Sequence, residues 1–385
     1  PTVVGNLHNF GGRINMHGDL ALLASNQYSK AKRLNPAVCG SGLFMEAIEQ
    51  NPVYYELAFE MPCHPDSIDL RAWLKQYATR RYGAFSPATQ KAWMLLLEGP
   101  YRQGTNGTEK SSIVAARPAL DVKKSGPNAG LEIPYDPALI IRAQSLLLED
   151  ADKLSASRPY RFDLVDVQRQ MMTNLGQLIH RKAAEAFRSK DREAFTLHSG
   201  RFLGMLADMD TLLRTRSEYS FDRWLTEARS WGETEEEKNQ MERDATSLVT
   251  IWGADGDPRI FDYSWREWAG LINGYYLPRW QKFYTMLQQH LDEGTSYEEA
   301  GLPQIYGREA FRANDFYHTL AEWELSYVDT YGKARIPATE GDEVDIVKRL
   351  FKKYFKLSQE YYTDSIKLIK PSRDERTYEN LGEDL

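Results

Sequence analysis

Two short stretches near the amino end decide the fold: Asn6-Leu7-His8-Asn9-Phe10-Gly11-Gly12 and Gly40-Ser41-Gly42-Leu43-Phe44-Met45-Glu46. Val3 and Val4, flanked by small residues, predict a short buried strand before the first stretch. Ala37 to Cys39 predict a second strand before the other. Each strand is expected to end in a Gly-rich turn carrying polar groups, with a helix following over 17–34 and 49–61. Strand, polar loop, helix, repeated, is the unit of a β/α barrel, in which reacting groups sit on loops at the carboxyl ends of strands. Glu46 stands at such a place and is read as the reacting carboxylate. Glu49, three residues on, is the expected cap of the next helix.

Beyond residue 66 the periodicity becomes helical. Asp66 or Ser67 is expected to cap a helix over 70–82, and Ser86-Pro87 opens another with Trp93, Leu96 and Leu97 on one side. The segment from Gly99 to Pro134, rich in Gly, Ser, Asn, Thr and Pro, is the longest without helical spacing, and a loop of that length is functional or disordered. Helical spacing resumes over 136–190, punctuated by Pro159, and continues over 192–214, 219–230, 234–251, 308–329 and 342–366. Trp252 is expected to end a helix, and Asp262 to cap one beginning at Tyr263. The polar stretch after Pro371 reads as a mobile tail. The predicted class is therefore α/β plus all-α: the last strands of a (β/α)8 TIM-like barrel over 1–66, an α-helical domain over 67–370, and a tail over 371–385.

Composition narrows the function. The chain has 385 residues, is 42% hydrophobic and carries a formal net charge of −7, enough to bury a sizeable core and with no basic stripe for nucleic acid. The run Val347 to Lys356 alternates charge with apolar residues, as a solvated helix face does. Two cysteines, Cys39 and Cys63, do not make a disulfide framework, and Cys63-His64 lacks further ligands at metal spacing, so neither a metal nor another cofactor is expected. No apolar run reaches the length of a membrane span. The chain starts inside a strand without Met, so the natural amino terminus is expected upstream. Aromatic content is high, with 22 Tyr, 15 Phe and 9 Trp. Flat rings with polar edges suit sugars, although packing between helices uses most of them. His180 and His198, lone histidines on helical faces, are read as packing or surface groups.

The two opening stretches, with Gln50-Asn51, resemble the α-N-acetylglucosaminidases, glycoside hydrolase family 89. The resemblance continues through Arg80-Arg81-Tyr82-Gly83, Ala116-Arg117-Pro118, Trp252-Gly253, Asp262-Tyr263, Ala269-Gly270-Leu271 and Tyr275-Tyr276-Leu277-Pro278-Arg279-Trp280, and covers nearly the whole chain. It departs at Ala47, where the family usually has Gly. The resemblance implies Glu46 as nucleophile and Leu7, Phe10, Trp252, Ile260 and Tyr263 as sugar-pocket residues. Glu109 aligns loosely with a further pocket residue, and Asn106-Gly107-Thr108 is a glycosylation sequon. It also implies hydrolysis of terminal α-linked N-acetylglucosamine with retention, on a heparan-sulfate-like or mucin-type glycan, in a secreted, periplasmic or lysosomal setting. Such a linkage holds the acetamido and leaving groups on the same side of C1–C2, so the acetamide cannot attack from behind and the enzyme must supply a carboxylate. The partner acid/base carboxylate follows an Asn in the family. No Asn-Glu dipeptide exists here, so the acid/base is expected on an upstream barrel segment or a second chain. The alternative is a carbohydrate-binding relative that keeps the pocket without turnover. The upstream sequence discriminates between the two.

Overall fold

A computed structural model describes residues 1–102, 110–126, 130–252, 261–299, 315–335 and 338–362. Strand β1 (Thr2–Asn6) pairs in parallel with β2 (Val38–Leu43), Val3 opposite Gly40 and Asn6 opposite Leu43. The crossover carries α1 (Leu20–Ala24) and α2 (Gln27–Leu34), and α3 (Pro52–Glu60) follows β2. Helices then succeed one another: α4 (Leu70–Tyr82), α5 (Pro87–Glu98), α6 (Pro137–Glu149), α7 (Ala151–Leu154), α8 (Arg158–Arg188), α9 (Arg192–Leu213), α10 (Phe221–Arg229), α11 (Glu235–Leu248), α12 (Leu277–Glu293), α13 (Asp315–Asp329) and α14 (Glu343–Tyr361). One apolar core runs from Ile14, Leu20 and Leu57 through Trp73, Leu164 and Trp280 to Leu350.

Several local expectations need correction. Strand β2 does not stop at Cys39 but runs through Gly40 and Gly42 to Leu43, so these glycines are extended and not a turn. The close approach is at Gly5 of β1, where a Cβ would sit 2.1 Å from the Phe44 ring, whereas at Gly42 it would meet that ring at an ordinary 3.5 Å. The helix expected over 17–34 is broken at Asn26, whose backbone is left-handed (φ 59°). Its side chain accepts from the Ser29 N–H and donates to the carbonyls of Met61, His64 and Asp66, which holds the break in place. Helix α3 starts at Pro52, after Asn51, so Glu49 caps nothing and instead pairs with Arg223. Asp69, and neither Asp66 nor Ser67, caps α4 by accepting from the Ala72 N–H. No helix begins at Tyr263. Residues 261–268 form an irregular strap, and helix starts only with a π-type turn at Ile272–Tyr276 that leads into α12. Asp262 is drawn away from a capping role by Arg279, whose Nη1 donates to it at 2.9 Å.

The 31-residue α8 is the axis on which α4, α6, α9 and α14 pack. It is buried nearly all round, so its polar residues must find partners inside. Arg81 and Tyr82 of α4 both donate to Asp163. Arg169 donates to Asp166, to Glu267 of the strap and to the Ile14 carbonyl, while Gln170 accepts from the Met16 N–H. Through these contacts α8 grips both the loop after β1 and the strap. The strap's other end is held by a second buried cluster: Asp262 and Glu324 against Arg279 and Arg117, all fully enclosed.

These charges fix geometry more than they add stability. Burial pushes Asp262 up to about 6 despite the attraction of Arg279. Its folded value lies above that of the unfolded chain. Its contribution to stability is therefore full at acidic pH and is lost as pH rises through about 6. Removing one member strands the others. Arg279→Met leaves two buried carboxylates facing Arg117 alone and is expected to cost ~3–5 kcal/mol in equilibrium denaturation. Arg80→Ala, which removes a half-exposed pair with Glu56, should cost under about 1 kcal/mol. Equal costs for the two would show that the cluster is not the strap's anchor.

Candidate active site

The loop after β1 is shaped by stacked, hydrogen-bonded rings. The His8 ring stacks on His17 at 4.1 Å and on Tyr54 at 3.8 Å, and its Nδ1 lies 2.9 Å from the Tyr55 hydroxyl. Burial, and after it the neighbouring His17, hold His8 well below the usual histidine range, so it is a neutral structural ring. His17 faces back to the His8 carbonyl at 2.8 Å, closing the loop on itself. Gly11 and Gly12 follow with φ of 65° and 71°, backbone that glycine adopts without strain.

Glu46 is placed by this loop. Its backbone N–H donates to Asn9 Oδ1 at 2.8 Å, and Asn9 Nδ2 donates to the Ala47 carbonyl at 3.3 Å. The Gly11 N–H donates to Glu46 Oε2 at 2.6 Å. From the strap, the Tyr263 hydroxyl reaches the two carboxylate oxygens at 3.3 and 3.4 Å. The Trp252 ring lies 4.5 Å from that of Tyr263, tilted by 58°. Trp252 itself is left-handed (φ 59°), with its N–H returned to the Ser247 carbonyl as α11 ends.

The strap also clamps the loop directly. Ser264 Oγ and Arg266 Nη1 both donate to the Gly11 carbonyl, and Arg13 Nε donates to the Tyr263 carbonyl at 2.8 Å. The approach is so close that a Cβ on Gly11 would lie 2.4 Å from the Tyr263 oxygen, and one on Gly12 would meet Arg266 and Ala47. The small Ala47 therefore fits under Gly12. Beside Glu46 opens a cleft of about 360 Å³, bounded by Gln50, Arg223, Trp224, Trp252, Arg266 and Trp268.

Of the residues singled out from sequence, Glu46, Trp252 and Tyr263 come together. Leu7, just after β1, and the half-buried Phe10 share the loop, and neither they nor Tyr263, which contacts Glu46 directly, line this cleft. Ile260 and Glu109 lie outside the described residues. Among the described residues no group of three or more His, Cys, Asp or Glu could hold a metal ion. Sequence reasoning gave no role to Asn9, Gly11, Arg13, Ser264 or Arg266. Asn9 and Gly11 stood in the opening motif, but partners 35 to 253 positions away leave no local signal.

Comparison with known proteins gives a consistent picture. The profile of the alpha-N-acetylglucosaminidase (NAGLU) C-terminal domain matches residues 73–353, and that of the NAGLU tim-barrel domain matches residues 1–65. Alpha-N-acetylglucosaminidase of Homo sapiens is 33% identical over 358 residues, 91% of this chain and 44% of the human protein. A family 89 glycoside hydrolase from Clostridium perfringens, solved with PUGNAc, superposes with a TM-score of 0.80 at 27% identity, over 94% of this chain and 39% of that one. A variant from the same organism with two Glu-to-Gln substitutions, solved with its substrate GlcNAc-alpha-1,4-galactose, superposes equally well. This chain spans less than half the length of each of these relatives.

The clamp can be tested through its glycine. Gly11→Ala forces a Cβ into the strap and should destabilise the protein by more than about 2 kcal/mol. Gly83→Ala, at φ 75° with open space around it, should cost only about 1 kcal/mol of backbone strain. Thermal denaturation of both variants reads the difference, and parity between them would contradict the close approach.

Proposed function

The chain belongs to the alpha-N-acetylglucosaminidase family, and from that membership and the geometry around Glu46 we propose that it carries the nucleophile of a retaining exo-glycosidase. The substrate would be a glycan ending in non-reducing α-linked N-acetylglucosamine. The observation that carries this reading is the 2.6 Å bond from the Gly11 N–H to Glu46 Oε2. With Tyr263 it orients the carboxylate at the mouth of a cleft with aromatic walls. Glu46 would attack C1 and form a glycosyl ester as the leaving oxygen takes a proton from a second carboxylic acid. That second group, now a base, would then take a proton from the water that cleaves the ester and restores Glu46. The C. perfringens variant, with two glutamates replaced and its substrate bound, supports a pair of carboxylates.

The second carboxylate is proposed to come from an upstream barrel segment, joined covalently or present as a second chain. Around the two strands Val3, Leu7, Phe44 and Ile48 are exposed, which is apolar surface suited to further strands and helices. On this reading residues 1–66 complete a barrel, and residues 67–370 wall the pocket with Trp252, Ile260 and Tyr263. Retention requires the two carboxyl groups about 5–5.5 Å apart. Among the described residues no helix is long and apolar enough to cross a membrane. A glycan substrate places the enzyme in a secreted, periplasmic or lysosomal setting.

The test replaces Glu46 in the assembled enzyme. Glu46→Ala should lower turnover of an activated aryl α-N-acetylglucosaminide by about 10³-fold or more while the protein stays folded. Azide should partly restore release of the aryl group, and the product should be the β-glycosyl azide formed by attack from the vacated side. Activity within about tenfold of the parent, or rescue that yields the α-azide, would sink the assignment.

A further inference from the structure

The cleft beside Glu46 does not end at the pocket wall. Helix α10 runs along it and presents Ser220, Arg223, Trp224 and Glu227 to the space. These positions recur at helical spacing, and the next member of the row is Trp231. The chain is still turning there, because the Trp231 N–H donates to the Ala228 carbonyl at 3.1 Å. Seven residues of helical rise make about two turns and roughly 10 Å, and since α10 itself ends at Arg229, Trp231 stands in the turn just beyond the helix, outward of Trp224. They differ in their partners. Trp224 Nε1 donates to the Ala245 carbonyl, whereas the Trp231 side chain is 84% exposed and has no hydrogen bond or ring contact among the described residues. A solvated indole on a row that leads out of a sugar cleft is a platform of the kind that sugar rings stack on.

The charges along this row indicate what would lie there. Arg223 is held between Glu227 at 2.8 Å and Glu49 at 2.9 Å, and Arg266 is committed to the Gly11 carbonyl and to its own strap. Arg223 is thus balanced by two carboxylates, and Glu49, Glu218 and Glu227 around the cleft present acceptors to sugar hydroxyls and repel a sulfate or uronate. We propose that the α10 face is an aglycone track for neutral oligosaccharide, with Trp231 the outer stacking platform about two rings beyond the wall formed by Trp224. This rests on the glycosidase reading given above.

The experiment compares substrates on the assembled enzyme: an aryl α-N-acetylglucosaminide, a neutral trisaccharide capped by α-linked N-acetylglucosamine, and the same trisaccharide sulfated. Trp231→Ala should lower kcat/KM for the neutral trisaccharide about tenfold relative to the aryl glycoside, chiefly through KM. Trp231→Phe should recover most of that loss. A parallel change on both substrates, or none, overturns the platform. Faster turnover of the sulfated trisaccharide by the parent overturns the neutral track. If the parent turns over none of the three, the glycosidase reading has failed, and the track is then judged by binding. Tryptophan emission of the Glu46→Ala protein should quench saturably with neutral trisaccharide, about fivefold more weakly once Trp231 is also Ala. No difference between those two titrations would end the proposal.

Discussion

The site depends on the Gly11 residue being gripped from both ends. Its N–H points to Glu46, and its carbonyl accepts from Ser264 and Arg266 of a strap some 250 residues further along the chain. Only a residue without a side chain can sit 2.4 Å, measured to a would-be Cβ, from the Tyr263 oxygen. The left-handed backbone and the contact thus select the same residue for two reasons. Because the strap also carries Tyr263, the grip on Gly11 and the second contact to Glu46 come from one rigid piece. The carboxylate is held by the loop of its own unit and, through Tyr263, by a strap from a sequence-distant one.

Rigidity of an irregular segment needs an explanation, since residues 261–268 make no regular ladder of backbone bonds. Buried ion pairs supply it. Asp262 is fixed by Arg279 at one end and Glu267 by Arg169 at the other, with Thr173 adding a bond at 2.8 Å to Glu267. Ion pairs taken wholly out of water recover little net free energy, and the upward displacement of Asp262 shows burial outweighing its partner's pull. What they provide is a single geometry, because any other arrangement strands a charge in the core. The same logic explains why α8 carries Arg169 and Gln170 in its buried middle. One helix reads the position of the loop through the Ile14 carbonyl and Met16 N–H, and of the strap through Glu267.

What the sequence revealed follows the range of the interactions. Helix α4 was legible from Leu70 to Tyr82 because apolar spacing and the Gly83 stop are local, and α5 because Ser86 caps it in place. The strands were legible in position but not in length, since the glycines of β2 look like turn residues until they are seen paired with Val3 and Gly5 of β1. Asp262 looked like a cap, which is its habit when nothing else competes. Arg279 competes from 17 residues away, and no periodicity announces that. Glu46, Trp252 and Tyr263 could be singled out because their motifs are distinctive in order, and the structure brings the three together. The residues that hold them in place, Ser264 and Arg266 above all, act through contacts that only the folded chain displays.

The most direct measurement of the role proposed for Glu46 is covalent trapping. A 5-fluoro N-acetylglucosaminyl fluoride keeps the acetamido group, slows both steps through the electron-withdrawing fluorine at C5, and lets the glycosyl ester accumulate because fluoride leaves without protonation. Proteolysis and mass spectrometry of the treated protein would then locate the ester. The account predicts that the labelled peptide contains Glu46 and that fragmentation places the sugar on its carboxylate. An ester on any other residue, with Glu46 unmodified, would contradict it.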